Sequence, residues 1–392
     1  MTSLRHRITE AAKNLPGMLR RIAPSAIMVT VAFLVGFVFM EIAARAINNV
    51  PILSAKNWVA EALEAGTENL TSVYDSTLGW KARKDMRRVG DSANHPAAPD
   101  FSKVTVTTNS QSLRMNSART PIREDAPKGA IFAVGDSFTW GSEVSDHETY
   151  SAHLESILNR PVLNAAYGGW GLDQMYLRSR ELVPDLKPSL IILSPLSDDH
   201  LRNAFRRYGR AFKGYYDLTD DGGLELRGIP VPRNSAAARD VGDLQSVLGH
   251  SYFIFWAMQI LGQQEMWVNR NLLTDQVHSF EESVEISCRL FPRFQALAAE
   301  HGADLLYVQV YGGNEVLQGE RHWYSTQGIE CARKAGITSI DTYDAFTAVL
   351  EREGKEALLT HYSIWKDGRI GHMSSKGNRL VASTIADALK AE

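Results

Sequence analysis

A serine about one third of the way along the chain stands where a parallel strand would present a nucleophile. Ser137 lies in the stretch FAVGDSFTWG (132–141), in which an apolar, strand-like run ends at Gly135. Open parallel sheets bind ligands beyond the carboxyl ends of their strands, and a serine hydroxyl there can attack an ester once a base removes its proton. The pattern differs from the G-x-S-x-G elbow. Because Asp and Ser also favour helix N-caps, the motif alone fits a nucleophile and a helix cap equally well.

A histidine far along the chain is the second residue that could do chemistry. His372 lies in GHMSSKGNRLVA (371–382), just before the last predicted helix. A neutral imidazole can take the proton of a serine hydroxyl and return it to a leaving group. The stretch NAAYGGWG (164–171) carries three glycines, which let backbone approach a substrate oxygen closely. The serine, the histidine and the glycine loop form one constellation of residues.

A regular alternation of strands and helices, starting at Gly129, must position these residues. Near-continuous apolar runs predict buried parallel strands, and the segments between them repeat apolar residues at helical spacing. The predicted strands are AIFAVG (130–135), PVLNAA (161–166), SLIILSPL (189–196), ADLLYVQVYG (303–312) and GITSIDTY (336–343). We therefore expect an α/β protein, a three-layer sandwich with a central parallel sheet covered by helices on both faces.

The alternation is interrupted between about 204 and 280 by an inserted subdomain of about 80 residues. The stretch 214–232 predicts a hairpin that turns at Asp221-Gly222-Gly223. GHSYFIFWAMQILGQ (249–263) predicts a strongly apolar helix, which is short for a membrane span and is interpreted as a packed insertion. Ahead of the sandwich domain (129–392), residues 49–128 predict a stalk and a small β-containing segment.

The amino-terminal segment is the apolar outlier of the sequence. An uncharged run from Ala26 to Met40 continues past Glu41 to Ile47, about the length of a membrane helix. Five basic residues precede it, so the positive-inside rule places a basic tail (1–25) in the cytoplasm, a transmembrane signal anchor at 26–48, and the remainder outside. Two alternatives stay open: a signal peptide cleaved near AARA (43–46), and a buried helix of a soluble protein.

Composition excludes several classes of protein. The 392 residues carry a formal net charge of −3, without the basic face that a nucleic-acid partner needs. Cys288 and Cys331 have no metal-ligand spacing, so we expect neither a metal nor a cofactor. In an exported domain these cysteines form either a disulfide or two inert buried thiols. The run Asp198 to His200 is interpreted as a solvated loop and not as a metal site.

With these stretches in this order, the chain resembles the SGNH/GDSL hydrolase superfamily, and most closely its bacterial membrane-anchored members. The resemblance covers roughly residues 70–390. The stretches that carry it are GDSFTWG (135–141), LNAAYGGWGLDQ (163–174), SPLSDDHLRN (194–203) and GHMSSKGNRLVA (371–382). It implies a flavodoxin-like fold, an acyl-enzyme on Ser137 and general-base catalysis by His372. It also implies oxyanion donors at Ser137 and Gly169, with Gly168 or Gly171 as alternative donors.

Two positions depart from the family pattern. Asp198, or Ser197 in another register, stands where the family has an asparagine that donates to the oxyanion, and a carboxylate there repels an oxyanion unless it is protonated or turned away. Arg369 stands where the family has the aspartate that orients the histidine, and the nearest upstream acid is Asp367. Either Asp367 completes a triad, or a backbone carbonyl orients the histidine of a serine–histidine dyad.

Three functions are compatible with these residues. The resemblance implies an exported serine esterase, anchored in a bacterial inner membrane with its α/β domain in the periplasm or outside, that acts on acyl (acetyl) esters of cell-surface polysaccharide. An O-acetyltransferase would use the same acyl-enzyme, with a sugar hydroxyl in place of water. A catalytically degenerate domain would serve instead as a scaffold or binding subunit, with protein partners in a membrane assembly.

Overall fold

The computed structural model describes most of the chain, in eight stretches. These are residues 27–65, 71–90, 104–117, 129–208, 211–233, 241–268, 274–365 and 368–391. The predicted cytoplasmic tail lies outside them. Residue contacts divide the chain into two units, one of residues up to 64 with residues 237–270, and one of residues 65–236 with residues 271–392. The predicted insertion is thus divided between the two units.

The described elements follow the predicted order. The strands are β1 Ser72–Asp75, β2 Gly79–Ala82, β3 Arg87–Gly90, β4 Val104–Thr107, β5 Ile131–Gly135, β6 Val162–Asn164, β7 Leu190–Ser194, β8 Phe205–Tyr208, β9 Ala211–Phe212, β10 Tyr215–Leu218, β11 Leu224–Arg227, β12 Asp275–Gln276, β13 Asp304–Gln309, β14 Thr338–Asp341, β15 Tyr362–Ile364 and β16 Ile370–Met373. The α-helices are α1 Ile27–Ile47, α2 Trp58–Ala65, α3 Ser137–Trp140, α4 Tyr150–Leu158, α5 Leu172–Leu186, α6 Asp199–Arg202, α7 Asp243–Leu248, α8 Tyr252–Ile260, α9 Gln264–Trp267, α10 Phe280–Glu300, α11 Gly313–Gln318, α12 Trp323–Lys334, α13 Tyr343–Glu353, α14 Lys355–Leu359 and α15 Ser375–Ala391.

Five parallel strands form the central sheet of the larger unit, in the order β14-β13-β7-β5-β6. Numbered along the chain, this order is the 2-1-3-4-5 arrangement of flavodoxin-like folds, whose switch point lies between the first and third strands. Every residue of β5 and β7 is buried, as expected for a sheet covered on both faces. The predicted fold class, a flavodoxin-like three-layer α/β sandwich, is confirmed.

Two apolar cores, one on each face, hold helices against the sheet. Leu177 on α5, Phe291 on α10 and Ile329 on α12 belong to one core. Leu154 on α4 and Val381 on α15 belong to the other. Each of these helices has one apolar stripe, and burying that stripe against the sheet is the main source of its stability.

Smaller β elements surround the sheet. The hairpin β10–β11 turns through Asp221-Gly222-Gly223, as predicted. The alternating run at 103–110 contributes β4, which pairs antiparallel with β3. Lys213, between β9 and β10, is fully buried and pairs with the buried carboxylate of Asp173 on α5. This ion pair fixes the strands that follow α6 against the sandwich, because removing either charge would leave its partner buried and unpaired.

Cys288 and Cys331 form a disulfide, so the first of the two alternatives left open by the sequence holds. The bond joins α10 to α12 across a sequence separation of 43 residues. Both helices pack on the same face of the sheet, and the crosslink therefore ties two adjacent helices of one layer together.

The smaller unit contains α1, α2 and the helices α7 to α9. α1 spans 21 residues and is long and apolar enough to cross a membrane, a property that a signal sequence shares. Its apolar side chains, among them Phe33, Leu34 and Phe39, are mostly exposed. The alternative of a helix buried in a soluble core is therefore not supported by this unit.

Candidate active site

Ser137 is the first residue of α3, directly beyond the carboxyl end of β5. Gly135 allows close packing at this point, because a Cβ there would lie 2.1 Å from Thr139 Oγ1 and 2.4 Å from the Ser194 carbonyl oxygen. Asp136 caps the helix through a 2.8 Å hydrogen bond from the Phe138 backbone N–H. Asp136 is therefore the helix cap, and Ser137 occupies the first turn, where backbone N–H groups have no intrahelical acceptor.

A buried arginine lies next to this turn. Arg202 Nη1 donates to Asp136 Oδ2 at 3.1 Å and to the Trp170 carbonyl oxygen at 3.0 Å, and it also pairs with Asp199. The Ser137 hydroxyl donates to the same Asp136 Oδ2, at 3.1 Å. Arg202 therefore links the ends of β5 and β7 and sets one positive charge against the two buried aspartates beside the serine.

His372 lies on β16, and its ring faces the serine turn. The ring centroid is 5.0 Å from that of Phe138, the residue after the serine. Its Nδ1 lies 2.9 Å from Oε1 of Glu143, a residue of the loop that follows α3. A carboxylate at Nδ1 favours the tautomer that carries its proton there, which leaves Nε2 as the proton acceptor.

The Glu143 carboxylate is buried and held by several donors. Trp365 Nε1 donates to Oε1 at 2.8 Å, and the Ser363 hydroxyl donates to Oε2. Burial opposes ionisation of Glu143, yet the hydrogen bond and the charge of His372, with the bond from Trp365, hold the pKa of the carboxyl below its usual value. Gly371 permits this approach, because a Cβ there would lie 2.8 Å from Glu143 Oε2.

Glu143 is the acid that sequence reasoning missed. The predicted acid, Asp367, lies outside the described residues. Arg369, which replaces the family aspartate, stacks its guanidinium over the Trp365 ring at 4.8 Å. Glu143 has no signal of its own in the sequence, because a lone glutamate six residues after the serine matches no motif. The one hint is Gly371, just before His372, where the missing side chain leaves room for another residue.

The glycine loop lies beside the serine and is fixed by two tryptophans. Trp80 Nε1 donates to the Gly168 carbonyl oxygen at 2.9 Å, and Trp170 Nε1 donates back to the Trp80 carbonyl oxygen at 3.1 Å. Gly169 has φ +78°, a left-handed conformation that favours glycine. A Cβ built on Gly168 would lie 3.7 Å from Ser137 Cβ, so the loop passes close to the serine.

These contacts narrow the choice of oxyanion donor. The Gly171 N–H lies 3.3 Å from Gln174 Oε1 and is therefore engaged within its own helix cap. Gly169, the predicted donor, and Gly168 remain candidates beside the N–H of Ser137. An oxyanion hole requires donors that are held in place before the reaction. The hydrogen bonds of Trp80 and Trp170 hold this loop in place.

The side chains at the third predicted donor position are hydrogen-bonded to other residues. Asp198 is exposed, and its Oδ1 accepts a 2.8 Å hydrogen bond from the Tyr324 hydroxyl. The hydroxyl of Ser197, the alternative in another register, donates to Glu315 Oε2 at 2.6 Å. Burial and the charge of Asp198 raise the pKa of Tyr324, so its hydroxyl stays protonated and turns the carboxylate toward itself.

The expectation of a solvated loop at Asp198 to His200 is wrong for two of its three residues. Asp199 and His200 are fully buried. Asp199 accepts the Leu196 backbone N–H at 2.7 Å, and His200 Nε2 lies 3.0 Å from the Tyr307 hydroxyl. Burial lowers the pKa of His200 to about 4, so this ring is neutral. Within the described ranges no cluster of three or more His, Cys, Asp or Glu side chains suits a metal ion.

A cavity of about 280 Å³ joins these groups. It opens beyond the ends of β5, β7 and β13, at the switch point where flavodoxin-like folds bind ligands. Its lining includes Ser137, Ser197, Asp198, Arg202, Glu315, His322, Trp365 and His372. The predicted nucleophile, the predicted base and the predicted third donor position thus share one cavity, although Asp198 stands at its rim with its carboxylate engaged.

The side chains brought together here, a serine at a strand end and a histidine paired with a carboxylate, are the set that serine hydrolases use. No protein-family model matches the chain, and no curated protein matches it.

Several solved structures do match. An acetyl xylan esterase, AlAXEase, is 14% identical with a TM-score of 0.37, over 66% of this chain and 99% of that one. An acetylxylan esterase from Geobacillus stearothermophilus is 13% identical with a TM-score of 0.36, over 68% of this chain and 97% of that one. A lipolytic protein of the G-D-S-L family from Desulfitobacterium hafniense is 12% identical with a TM-score of 0.30, over 66% and 99%. Structural similarity this distant does not indicate the activity of this chain.

Proposed function

We propose that this protein is a membrane-anchored, exported serine esterase of the SGNH/GDSL type. The observation that carries the proposal is the Glu143–His372 pair, with Nδ1 and Oε1 2.9 Å apart, together with the cavity that His372 and Ser137 both line. A buried carboxylate on the far side of a partly exposed imidazole is the arrangement that prepares a histidine to act as a base.

The proposed cycle has two halves. Ser137 Oγ leaves its hydrogen bond with Asp136 and attacks the ester carbonyl carbon while His372 Nε2 takes its proton. The negative oxygen of the tetrahedral intermediate accepts hydrogen bonds from the N–H of Ser137 and of Gly169 or Gly168. The carbon–oxygen ester bond then breaks, and the departing alcohol takes the proton from His372. Water, activated by the same imidazole, hydrolyses the acyl-enzyme and restores the serine.

Glu143 is proposed to hold the imidazole in register throughout this cycle. When His372 becomes a cation, the adjacent carboxylate stabilises the positive charge. The low pKa of Glu143 keeps the carboxylate ionised at neutral pH, so its role does not depend on a proton shared with the base. In this proposal Asp367 is dispensable.

An acetyl ester of a polysaccharide is the proposed substrate class. The cavity lining carries polar groups that can bind sugar hydroxyls, among them Asp198 and His322. The cavity itself, at about 280 Å³, lies near the lower end of the 300–1,000 Å³ of typical ligand sites. A cavity of this volume accommodates a short acyl group such as acetyl. Transfer to a sugar hydroxyl uses the same acyl-enzyme and remains the second candidate, because the polar rim suits an acceptor sugar equally well.

Two observations support export and anchoring. α1 is long and apolar enough to span a bilayer, and five basic residues precede it. The Cys288–Cys331 disulfide fits an oxidising compartment such as the bacterial periplasm. An inner-membrane protein with a cytoplasmic N-terminus and an external α/β unit accounts for both.

The test is acetate release by the purified full-length protein from 4-nitrophenyl acetate and from an acetylated polysaccharide. We expect hydrolysis that Ser137→Ala and His372→Ala both abolish. Acetylation of an added unacetylated polysaccharide, with the chromogenic ester as donor, would mark a transferase instead. A wild-type rate equal to that of Ser137→Ala on every substrate would favour the scaffold alternative.

A further inference from the structure

The segment of residues 241–268, here termed the arm, presents an apolar surface that the catalytic proposal does not use. None of the residues in its helix α8 is buried. The sequence from Ser251 to Gln264 has no Asp, Glu, Lys or Arg. Five apolar side chains of the arm are more than half exposed: Leu244, Val247, Ile260, Leu261 and Met266. Contiguous exposed apolar surface of this kind marks an interaction site.

The arm supplies hydrogen-bond donors to the one carboxylate inside α1. Glu41 accepts hydrogen bonds from the Ser251 hydroxyl at 2.7 Å and from the backbone N–H groups of Tyr252 and Phe253 at 2.9 and 3.0 Å. Arg45, one turn along α1, donates to it as well, at 2.5 Å. The first turn of α8 therefore supplies the hydrogen bonds that a carboxylate requires inside the hydrocarbon of a bilayer, where water is absent.

These contacts place α8 beside the apolar part of α1. Twenty-one residues of helix extend about 31 Å, close to the hydrocarbon thickness of a bilayer. Glu41 lies about 9 Å from the carboxyl end of α1, and Phe37, one turn further in, has its ring 6.0 Å from that of Phe253. If α1 spans the bilayer, the start of α8 lies within the hydrocarbon. Its nine residues extend only about 14 Å, too short to cross.

We propose that the arm is embedded in one leaflet of the membrane, the leaflet that holds the carboxyl end of α1, and that lipid acyl chains cover its apolar surface. Lipid is the occupant because the arm contacts α1 through Glu41 and Phe37, and α1 has its own exposed apolar side chains in the same unit. The inference rests on the membrane anchor of the proposed function and is independent of the hydrolase site.

The test uses the full-length protein in phosphatidylcholine vesicles, with a nitroxide on a single introduced cysteine. Cys288 and Cys331 are bonded to each other and do not react with the label. Ile260→Cys reports the arm, Leu34→Cys reports α1, and Ile157→Cys, an exposed apolar position on α4, is the matched control. We expect the labels at 260 and 34 to collide with oxygen and to be shielded from an aqueous nickel chelate. The label at 157 should show the reverse.

The outcomes separate this proposal from the others. If the label at 260 is as accessible to the nickel chelate as the label at 157, while the label at 34 lies in lipid, the proposal for the arm is overturned and the membrane anchor stands. If the labels at 260 and 34 both lie in water, the proposal for the arm and the membrane anchor are overturned together. The hydrolase proposal is then still tested by acetate release. Dipolar broadening at 260 identifies a second copy as the occupant and also overturns the lipid proposal. Leu261→Cys repeats the measurement if Ile260→Cys fails to fold.

Discussion

Glu143 and His372 are 229 residues apart in the chain and are joined by a 2.9 Å contact between Oε1 and Nδ1. The pairing brings an acid from the loop after the serine to a base on one of the last strands. In the proposed mechanism Glu143 is the third group of the triad, which in the resembling family is an aspartate just ahead of the histidine. Four consequences of this arrangement and of the fold around it can be measured.

The first prediction concerns the identity of the acid. Glu143→Gln keeps the shape of the side chain but presents an amide to Nδ1, which favours the wrong tautomer. We expect kcat for 4-nitrophenyl acetate to fall by roughly 10²- to 10⁴-fold with a smaller change in KM.

The matched control for that substitution is Asp367→Asn, which should leave kcat within about threefold of wild type. Steady-state kinetics of both variants at pH 7 decide between the two acids. A large loss in Asp367→Asn with little change in Glu143→Gln would assign the orienting role to Asp367.

The second prediction concerns the rim carboxylate. Asp198 stands where the resembling family has a neutral donor, and the Tyr324 hydroxyl holds its carboxylate. Asp198→Asn removes a negative charge near the developing oxyanion, so we expect kcat/KM to rise by up to about tenfold. Tyr324→Phe frees the carboxylate and should slow the reaction. A clear loss of rate in Asp198→Asn would instead show that the carboxylate itself takes part in catalysis.

The third prediction concerns acid stability. Burial lowers the pKa of His200 to about 4, below the unfolded value near 6.5, so between these pH values the unfolded chain binds more protons than the folded one. Stability therefore falls as the pH drops through that window. Because His200→Gln does not titrate there, the wild type should lose about 2 kcal/mol relative to the variant between pH 7 and pH 5. Urea unfolding at both pH values measures this difference, and parallel pH profiles would contradict the assignment.

The fourth prediction concerns the disulfide. The bond closes a loop across a separation of 43 residues, for which chain entropy gives a stabilisation of about 2–4 kcal/mol. Replacing Cys288 and Cys331 together by serine should lower the midpoint of urea unfolding accordingly. The acetyl esterase rate in native buffer should stay near that of wild type, because the bond joins α10 to α12 away from the serine. An unchanged midpoint would mean that the two thiols are not bonded in the purified protein.

The sheet and two site residues were predictable because their signals are local. Apolar runs predicted the strands of the sheet, and the glycine before Asp136 and the apolar strand before it predicted where Ser137 would lie. The histidine entered through the resemblance, which also implied a flavodoxin-like strand order. The strands and the position of Ser137 follow from patterns within a few residues, and the resemblance follows from four such short stretches in a fixed order.

The rest depends on contacts between distant segments. Glu143 acquires its role only when β16 places His372 and Gly371 against it. The burial of His200 follows from Tyr307, a hundred residues further on, and local polarity pointed the other way. Likewise Glu41 reads in sequence as an interruption of an apolar run, and its partners in the arm become evident only in the fold.

The most direct test of the central claim is reaction with a fluorophosphonate probe, which labels only a serine that a neighbouring base activates. The account predicts a single adduct on the purified protein, which peptide mass spectrometry places on Ser137, no adduct on Ser137→Ala, and slower labelling of Glu143→Gln than of Asp367→Asn. A wild-type protein that stays unlabelled under conditions that label a control esterase, or an adduct on another serine, would contradict it.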